Sequence, residues 1–234
     1  MLEFEIHTEW PAGQADRERR HELRVKELEG HVRDMRSALV CSFNQLLDLR
    51  DLNTGVHSTR LAEWGLRVAR DLDVPESYML DVEMGALLHD IGKIGVPDGI
   101  LNKPGRLTRE EFEMVKRHPE FGWTVIRKLP GFEKTSLYVL HHHENIDGTG
   151  YPAHLKGSEI PIGSRIVSVI DAFDAMVSSR PYRKGLPLQE AIRRLHASSG
   201  TQFDTTVVQS FVRIAEAEMP AVLEAVGISP DAAF

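Results

Sequence analysis

The chain has a single cysteine, Cys41, in 234 residues, so it can form no internal disulfide and its thiol content says nothing about compartment. It also lacks any stretch approaching the roughly 18 uninterrupted apolar residues of a membrane span. Its first residues, MLEFEIHTEWPAGQ, carry acids where a secretory signal would carry a basic segment followed by an apolar one, so no signal is expected. There is no surplus of positive charge. Lys and Arg total 28 against 35 Asp and Glu, and the net charge of −7 argues against a protein that coats nucleic acid. A nucleotide substrate is not excluded, because a local basic or metal site can outweigh a global negative field. No alternating strand run exceeds a few residues, and no internal repeat of fixed period is found. These absences leave a cytoplasmic, all-α protein as the expectation, with neither a membrane nor a nucleic-acid polymer as partner.

The apolar fraction, 41%, is ordinary and sufficient for a core, and the length suits one sizeable domain plus an extension, or two small domains. From Ala15 the chain reads DRERRHELRVKELEGHVRDMRSALVCSFNQLLDLRD. Val25, Leu28, Val32, Met35 and Leu39 recur at spacings of three and four, and Phe43 and Leu46 continue the pattern after one slipped step. This is a narrow apolar seam on a charged helix. Gly30 weakens it by roughly 1 kcal/mol of helix propensity. Two readings stand side by side: a helix packed on its own domain, and a helix that joins two copies as a homodimer.

The remainder reads as helices separated by Gly and Pro loops. Leu61, Trp64 and Val68 mark one apolar face, and Met79, Val82, Ala86 and Leu87 another. Thr108 and Glu111 form a capping-box signature, and Pro119 is expected to end the helix before it. Later helices are expected over Lys134–His143, Gly163–Ser178, Leu188–Ala197 and Thr205–Glu218. In the second of these, Ile166, Val169, Ile170 and Phe173 set Asp171 and Asp174 beside a strongly apolar face.

Several polar residues sit where burial would be costly. His89 and Asp90 end the apolar run EMGALLHD, with Lys93 three residues on. Buried charges cost several kcal/mol unless they meet a partner. Metal ligation would supply one, and the two oxygens of Asp90 could bridge a pair of ions. Lys93 would then face the same site as a cation for a phosphate oxygen. His57 and His118 are unremarkable alone. The run His141-His142-His143-Glu144 follows the apolar TSLYVL, and adjacent helical residues project about 100° apart, so at most two of these histidines can serve one metal. Spacing does not choose which two. Asp171, on the apolar helix, is the acid least easily explained without a metal. Two metals a few Å apart form a clamp for in-line displacement at phosphorus, so the donor set points to phosphoester hydrolysis.

With these pieces in place, the chain resembles an HD-GYP domain, the cyclic-dinucleotide phosphodiesterase branch of the HD phosphohydrolase superfamily. The matching segments are HSTR (57–60), ALLHDIGKIGVPDGILNKPG (86–105), the histidine of RHPEFG (117–122), HHENIDGTGYP (142–152), VIDAFDAMVSSRPYR (169–183) and FDTTVV (203–208). The resemblance implies an HD-superfamily helical bundle with an N-terminal helical extension. The catalytic domain would span 51–218, after a lead-in and coiled-coil-like helix at 1–50 and before a tail at 219–234.

The resemblance further implies two divalent metal ions, iron or manganese. His57, His89, Asp90 and Asp171 would hold the first. Asp90, His118, His142 and His143 would hold the second, with Asp90 as bridge and His141 as a neighbour. Lys93 would contact the scissile phosphate. Gly150, Tyr151 and Pro152 would form the signature loop beside the site, and Arg180 and Arg183 would bind the dinucleotide. Cyclic di-GMP would be cut to linear pGpG, with a second cut to GMP left open. Alternatives are cyclic GMP-AMP or another nucleotide at the same site, or an interaction module without catalysis. Two departures stand out. Asn53 occupies a position where some members carry a glutamate for a third metal, which favours two. PAHLKG places Ala153 and His154 where the family often has Gly or Asn. No receiver or sensor domain is expected ahead of the catalytic part, since about fifty residues are too few for one.

Overall fold

Apolar side chains spaced three and four apart build helices, and the computed structural model of this chain is helical accordingly. It describes residues 12–48, 57–178 and 184–225, with side chains over 16–47, 58–178 and 184–217. Among the described residues there is no β-strand, in keeping with the all-α expectation; only an isolated bridge joins Ser199 and Phe203. None of the described helices is long and apolar enough to cross a membrane. The chain divides into two compact units between Ser42 and Phe43.

The first helix, α1 (Ala12–Asp48), runs 37 residues without a break at Gly30. The rest comprises α2 (His57–Asp71), α3 (Met79–Leu88), α4 (Asp98–Leu101), α5 (Arg109–Val115), α6 (His118–Ile126), α7 (Glu133–His141), α8 (Ile162–Val177), α9 (Leu188–Ala197) and α10 (Thr205–Ala225). Short 3-10 turns at Glu76–Tyr78, Ile91–Gly95 and Gly157–Glu159 join them.

The core forms where the expected apolar faces meet. Leu61, Trp64 and Val68 of α2, Met79, Val82 and Ala86 of α3, and Ile166, Val169, Ile170 and Phe173 of α8 are buried together. Ile192 and Leu195 of α9 and Val207 and Phe211 of α10 close the cluster. Phe211 anchors it, edge-on to Trp64 with ring centroids 5.5 Å apart and to Phe173 at 4.8 Å. Burying a side chain of this size contributes about 1.5–3 kcal/mol, so α2, α3 and α8 are held firmly before any polar group is counted. On α3 the buried leucine is Leu88, while Leu87, expected on the apolar face, is only half-buried.

Polar clamps then set the helix ends. Arg60 donates from Nε to Asp174 Oδ1 at 2.5 Å and from its Nη2 to Ser178 at 3.0 Å, tying the start of α2 to the end of α8. Asp204 accepts from the backbone N–H of Thr206 at 2.8 Å, capping α10, and from Arg165 at 2.7 Å. The capping box of α5 is present as expected: Glu111 N–H donates to Thr108 Oγ1 at 3.3 Å, and Thr108 N–H to Glu111 Oε2 at 2.7 Å.

Several boundaries differ from expectation: α7 stops at His141, so His142 and His143 follow the helix instead of ending it. Pro119 does not end the helix before it; α5 stops at Val115, and Pro119 lies in the first turn of α6. The physical reason is that a first-turn N–H has no intrahelical acceptor, so proline opens a helix at no cost. His118 therefore begins a helix instead of ending one. The C-terminal helix also runs to Ala225, past Glu218.

Candidate metal centre

The floor of the site is the break after α3. The apolar face of this helix enters the core, the helix stops at Leu88, and His89 and Asp90 follow at its C-terminal end. The chain then tightens into the turn Ile91–Gly95, which carries Lys93. Gly92 lets the next element approach. A Cβ at Gly92 would collide with the carbonyl of His118 and the backbone N of Gly122, so only glycine lets the first turn of α6 press against this backbone. That contact brings His118 over Asp90.

Asp90 is the hub. Its Oδ2 lies 2.6 Å from Lys93 Nζ and 3.3 Å from His89 Nε2. Its Oδ1 lies 3.3 Å from His118 Nε2. The two oxygens thus face different histidines. On the His89 side, Asp171 Oδ1 of α8 comes within 3.8 Å of His89 Nε2. On the His118 side, His118 Nε2 is 3.2 Å from His142 Nε2, and the His143 ring centroid is 4.1 Å from that of His142. One ligand atom from each of His118, His142 and His143 can be chosen so that all lie within 4.8 Å of one another.

Whether these residues suit a cation depends on which nitrogen carries the proton. His89, His118 and His142 each turn Nδ1 toward the carbonyl three residues earlier: Ala86 at 2.8 Å, Val115 at 2.8 Å and Val139 at 2.7 Å. A carbonyl only accepts, so Nδ1 carries the hydrogen and Nε2 keeps its lone pair. This is the tautomer that ligates metals through Nε2.

The electrostatics agree with that assignment. Burial pushes His118 below its ordinary value, although Asp90 draws it upward. His142 is held well below, by burial first and then by His143, His118 and His89. Burial, with His118 beside it, takes His143 down to about 4. The cluster is therefore neutral at pH 7. Burial alone would raise the Asp90 carboxyl, but Lys93, His89 and His118 outweigh it and hold the group ionised, well below the usual carboxylate range. A buried carboxylate among neutral imidazole lone pairs fits a divalent first-row transition metal.

A loop closes one side. Gly150 packs so tightly that a Cβ there would meet the backbone of His143, Glu144 and Asn145. The Tyr151 N–H donates to the His143 carbonyl at 3.1 Å, and its ring lies 4.9 Å from the His143 ring, tilted by 30°. Lys116 Nζ sits 5.3 Å over the other partner of this stack, the Tyr151 ring. Burial raises the Tyr151 hydroxyl above its ordinary value, so it stays protonated as a donor.

Sequence reasoning assigned no role to Glu144. Its carboxylate is buried, accepting from the backbone N–H of Ala153 at 2.7 Å and of Leu155 at 3.1 Å. His141 Nδ1 lies 3.5 Å from the same carboxylate. The signal for this role was present, since a glutamate closing a histidine run beside an apolar helix needs buried partners. Spacing alone could not identify backbone donors nine and eleven residues away.

The remaining expected site residues are distributed unevenly. His57 opens α2, but its side chain lies outside the described residues, as do Arg180 and Arg183 entirely. Asn53 likewise lies outside them. His154 is exposed, with a left-handed φ of 56°.

Comparison with known proteins agrees with this picture. Residues 42–207 match the HD domain family. A cyclic di-GMP phosphodiesterase of Thermotoga maritima is 43% identical over 173 residues, covering 73% of this chain and 47% of that protein. A cyclic di-GMP phosphodiesterase of Pseudomonas aeruginosa is 43% identical over 178 residues, covering 73% of this chain and 42% of its own length. The chain thus spans about half the length of the curated relatives it matches. The solved structure of a cyclic GMP-AMP-specific phosphodiesterase of Vibrio cholerae shares the fold with a TM-score of 0.59 and 20% identity, over 76% of this chain and 48% of that one. The HD-GYP resemblance carried by the motifs stands with these matches, and the chain belongs to the HD domain family.

Proposed function

We propose that this chain is a metal-dependent phosphodiesterase that hydrolyses a cyclic dinucleotide, cyclic di-GMP foremost, to the linear pGpG. The observation that carries this reading is the position of Asp90. One carboxylate oxygen lies against His89, with Asp171 beyond it, and the other against His118, which adjoins His142 and His143. A shared carboxylate between two donor groups is what a pair of ions needs. The two relatives of Thermotoga maritima and Pseudomonas aeruginosa, both cyclic di-GMP phosphodiesterases, support the substrate class.

In this reading His57, His89, Asp90 and Asp171 hold one ion, and Asp90, His118, His142 and His143 hold the other. The mixed imidazole and carboxylate donors suit iron or manganese. Bound divalent ions supply Lewis acidity at the phosphoryl oxygens and lower the pKa of water toward neutrality. The chain's own residues do the rest. The Lys93 ammonium, 2.6 Å from Asp90, would neutralise charge developing on a non-bridging phosphate oxygen. The carbonyls of Ala86, Val115 and Val139 fix the rings so that Nε2 needs no reorientation. Gly150, Tyr151 and Pro152 border the substrate, with the Tyr151 hydroxyl as a hydrogen-bond donor. Arg180 and Arg183 are assigned to the dinucleotide's phosphates.

Turnover tests this directly. Protein reconstituted anaerobically with iron or manganese should release pGpG from cyclic di-GMP, resolved by chromatography beside cyclic GMP-AMP and cyclic di-AMP. Asp90→Ala should abolish it. Unchanged cleavage by that variant sinks the shared-carboxylate mechanism, and preferential cleavage of cyclic GMP-AMP moves the substrate to the alternative.

A further inference from the structure

α1 carries an apolar seam that is exposed among the described residues. Val25, Leu28, Val32, Met35 and Leu39 are between 39% and 63% exposed, a continuous stripe too regular for scattered surface residues. Placing Val25 at heptad position a puts Leu28 at d, Val32 at a, Met35 at d and Leu39 at a, with Ser42 and Leu46 in the next two places. Valine at two of the a positions with leucine at the first d is a pattern that, among parallel arrangements, favours two strands. Ser42, the one polar residue after Val25 in this frame, donates its hydroxyl to the Ala38 carbonyl of its own helix at 2.9 Å, so it can enter a seam satisfied. Gly30 takes the outermost position, f, where an absent side chain forfeits no contact across a pair.

The flanking charges choose an orientation. Arg17 and Arg24 occupy g, and Glu22 and Glu29 occupy e, all exposed. In a parallel, in-register pair each g residue faces the e residue five places on in the second copy, so Arg17 meets Glu22 and Arg24 meets Glu29, twice each by symmetry. In an antiparallel pair overlapping along the whole helix, g faces g and e faces e, so Arg17 and Arg24 meet Gln45 and Ala38 and only Glu22 with Arg36 attracts, two contacts against the four of the parallel arrangement. Arg24 currently pairs with Glu27 one turn along at 2.7 Å, an exposed contact that a facing glutamate can replace. We infer that α1 joins two copies of this chain as a parallel, in-register coiled coil. The inference is independent of the hydrolytic reading.

Oriented cross-linking of the full chain tests it. With Cys41→Ser as background, Leu28→Cys and Met35→Cys should each oxidise to a disulfide-linked dimer, while Ser37→Cys, at f, should remain largely monomeric on denaturing gels. An antiparallel pair can place at most one of the two seam positions opposite itself, so linkage at only one, or equal linkage at Ser37→Cys, overturns the proposal. Light scattering should give twice the chain mass for the unmodified protein; a monomer at micromolar concentration also overturns it. Glu22→Arg with Glu29→Arg should weaken self-association about tenfold or more. Mixing that variant with Arg17→Glu/Arg24→Glu should restore dimers, and failure of the mixture to do so counts against the assigned charge pairs.

Discussion

The Nε2 atoms of His118 and His142 lie 3.2 Å apart, and each ring's Nδ1 donates to the carbonyl three residues before it. Two neutral imidazoles held this way aim lone pairs at one another. A proton or a metal ion between them relieves the repulsion, and burial lowers the proton affinity of both rings. The site is therefore biased toward a metal.

Replacing either ring should remove one ion. His118→Ala or His142→Ala is expected to lower bound metal, measured by plasma mass spectrometry after dialysis, by about one equivalent per chain relative to the unmodified protein. The double variant should lose no more than either single one if, as proposed, both serve the same ion. Undiminished metal content in both single variants would refute the grouping.

The metal-stripped protein should weaken in mild acid. His143 titrates near 4 in the folded chain and near 6.5 when unfolded, so between those values the unfolded chain binds more protons. Stability contributed by this neutral ring is present above pH 6.5 and lost as pH falls toward 4, with a slope of up to about 1.4 kcal/mol per pH unit for one such group. Denaturation in EDTA at stepped pH values should show the decline, and His143→Asn should make it shallower without abolishing it, because His118 and His142 are also held below their ordinary values. A parallel decline in that variant would reassign the effect to other groups.

Glu144→Ala removes the acceptor for two backbone N–H groups. A hydrogen bond to a charged acceptor contributes about 1.5–3 kcal/mol, and a chain of this size loses roughly 2–4 °C of melting temperature per kcal/mol. The melting temperature should fall, and kcat/KM with it, because the loop bearing Tyr151 loses its anchor. Bound metal should stay constant. Loss of metal instead would show that Glu144 supports the ligands directly.

Two glycines separate close approach from spare room. Gly92→Ala drives a Cβ into the His118 carbonyl and should displace α6, lowering stability by several kcal/mol and weakening metal retention. Gly99→Ala, in α4, meets nothing within 4 Å and should be neutral or slightly stabilising, by about 0.5–1 kcal/mol. Calorimetry of the two variants tests the contrast, and equal melting temperatures would remove the assigned role of Gly92.

Much of the fold was legible in the chain. The faces built on Leu61, Trp64 and Val68, and on Ile166, Val169, Ile170 and Phe173, enter one core because apolar periodicity is a local property that survives folding. Pro119 misled because a proline is compatible with both the end of one helix and the start of the next, and only the path of the backbone chooses between them.

The sequence by itself determined the helical class, the inventory of imidazoles and carboxylates, and the family frame in which they fall. The family resemblance already grouped His118 with His142 and His143; only the tertiary structure supplies the physical reason that they meet. His118 and His142 are 24 residues apart in sequence and 3.2 Å apart at Nε2, while His141, adjacent to His142, has its Nδ1 toward Glu144. Grouping of this kind depends on the direction each side chain leaves its helix and on how closely two backbones can approach at Gly92. Neither is encoded in local spacing; both follow from how α3, α6 and α7 pack.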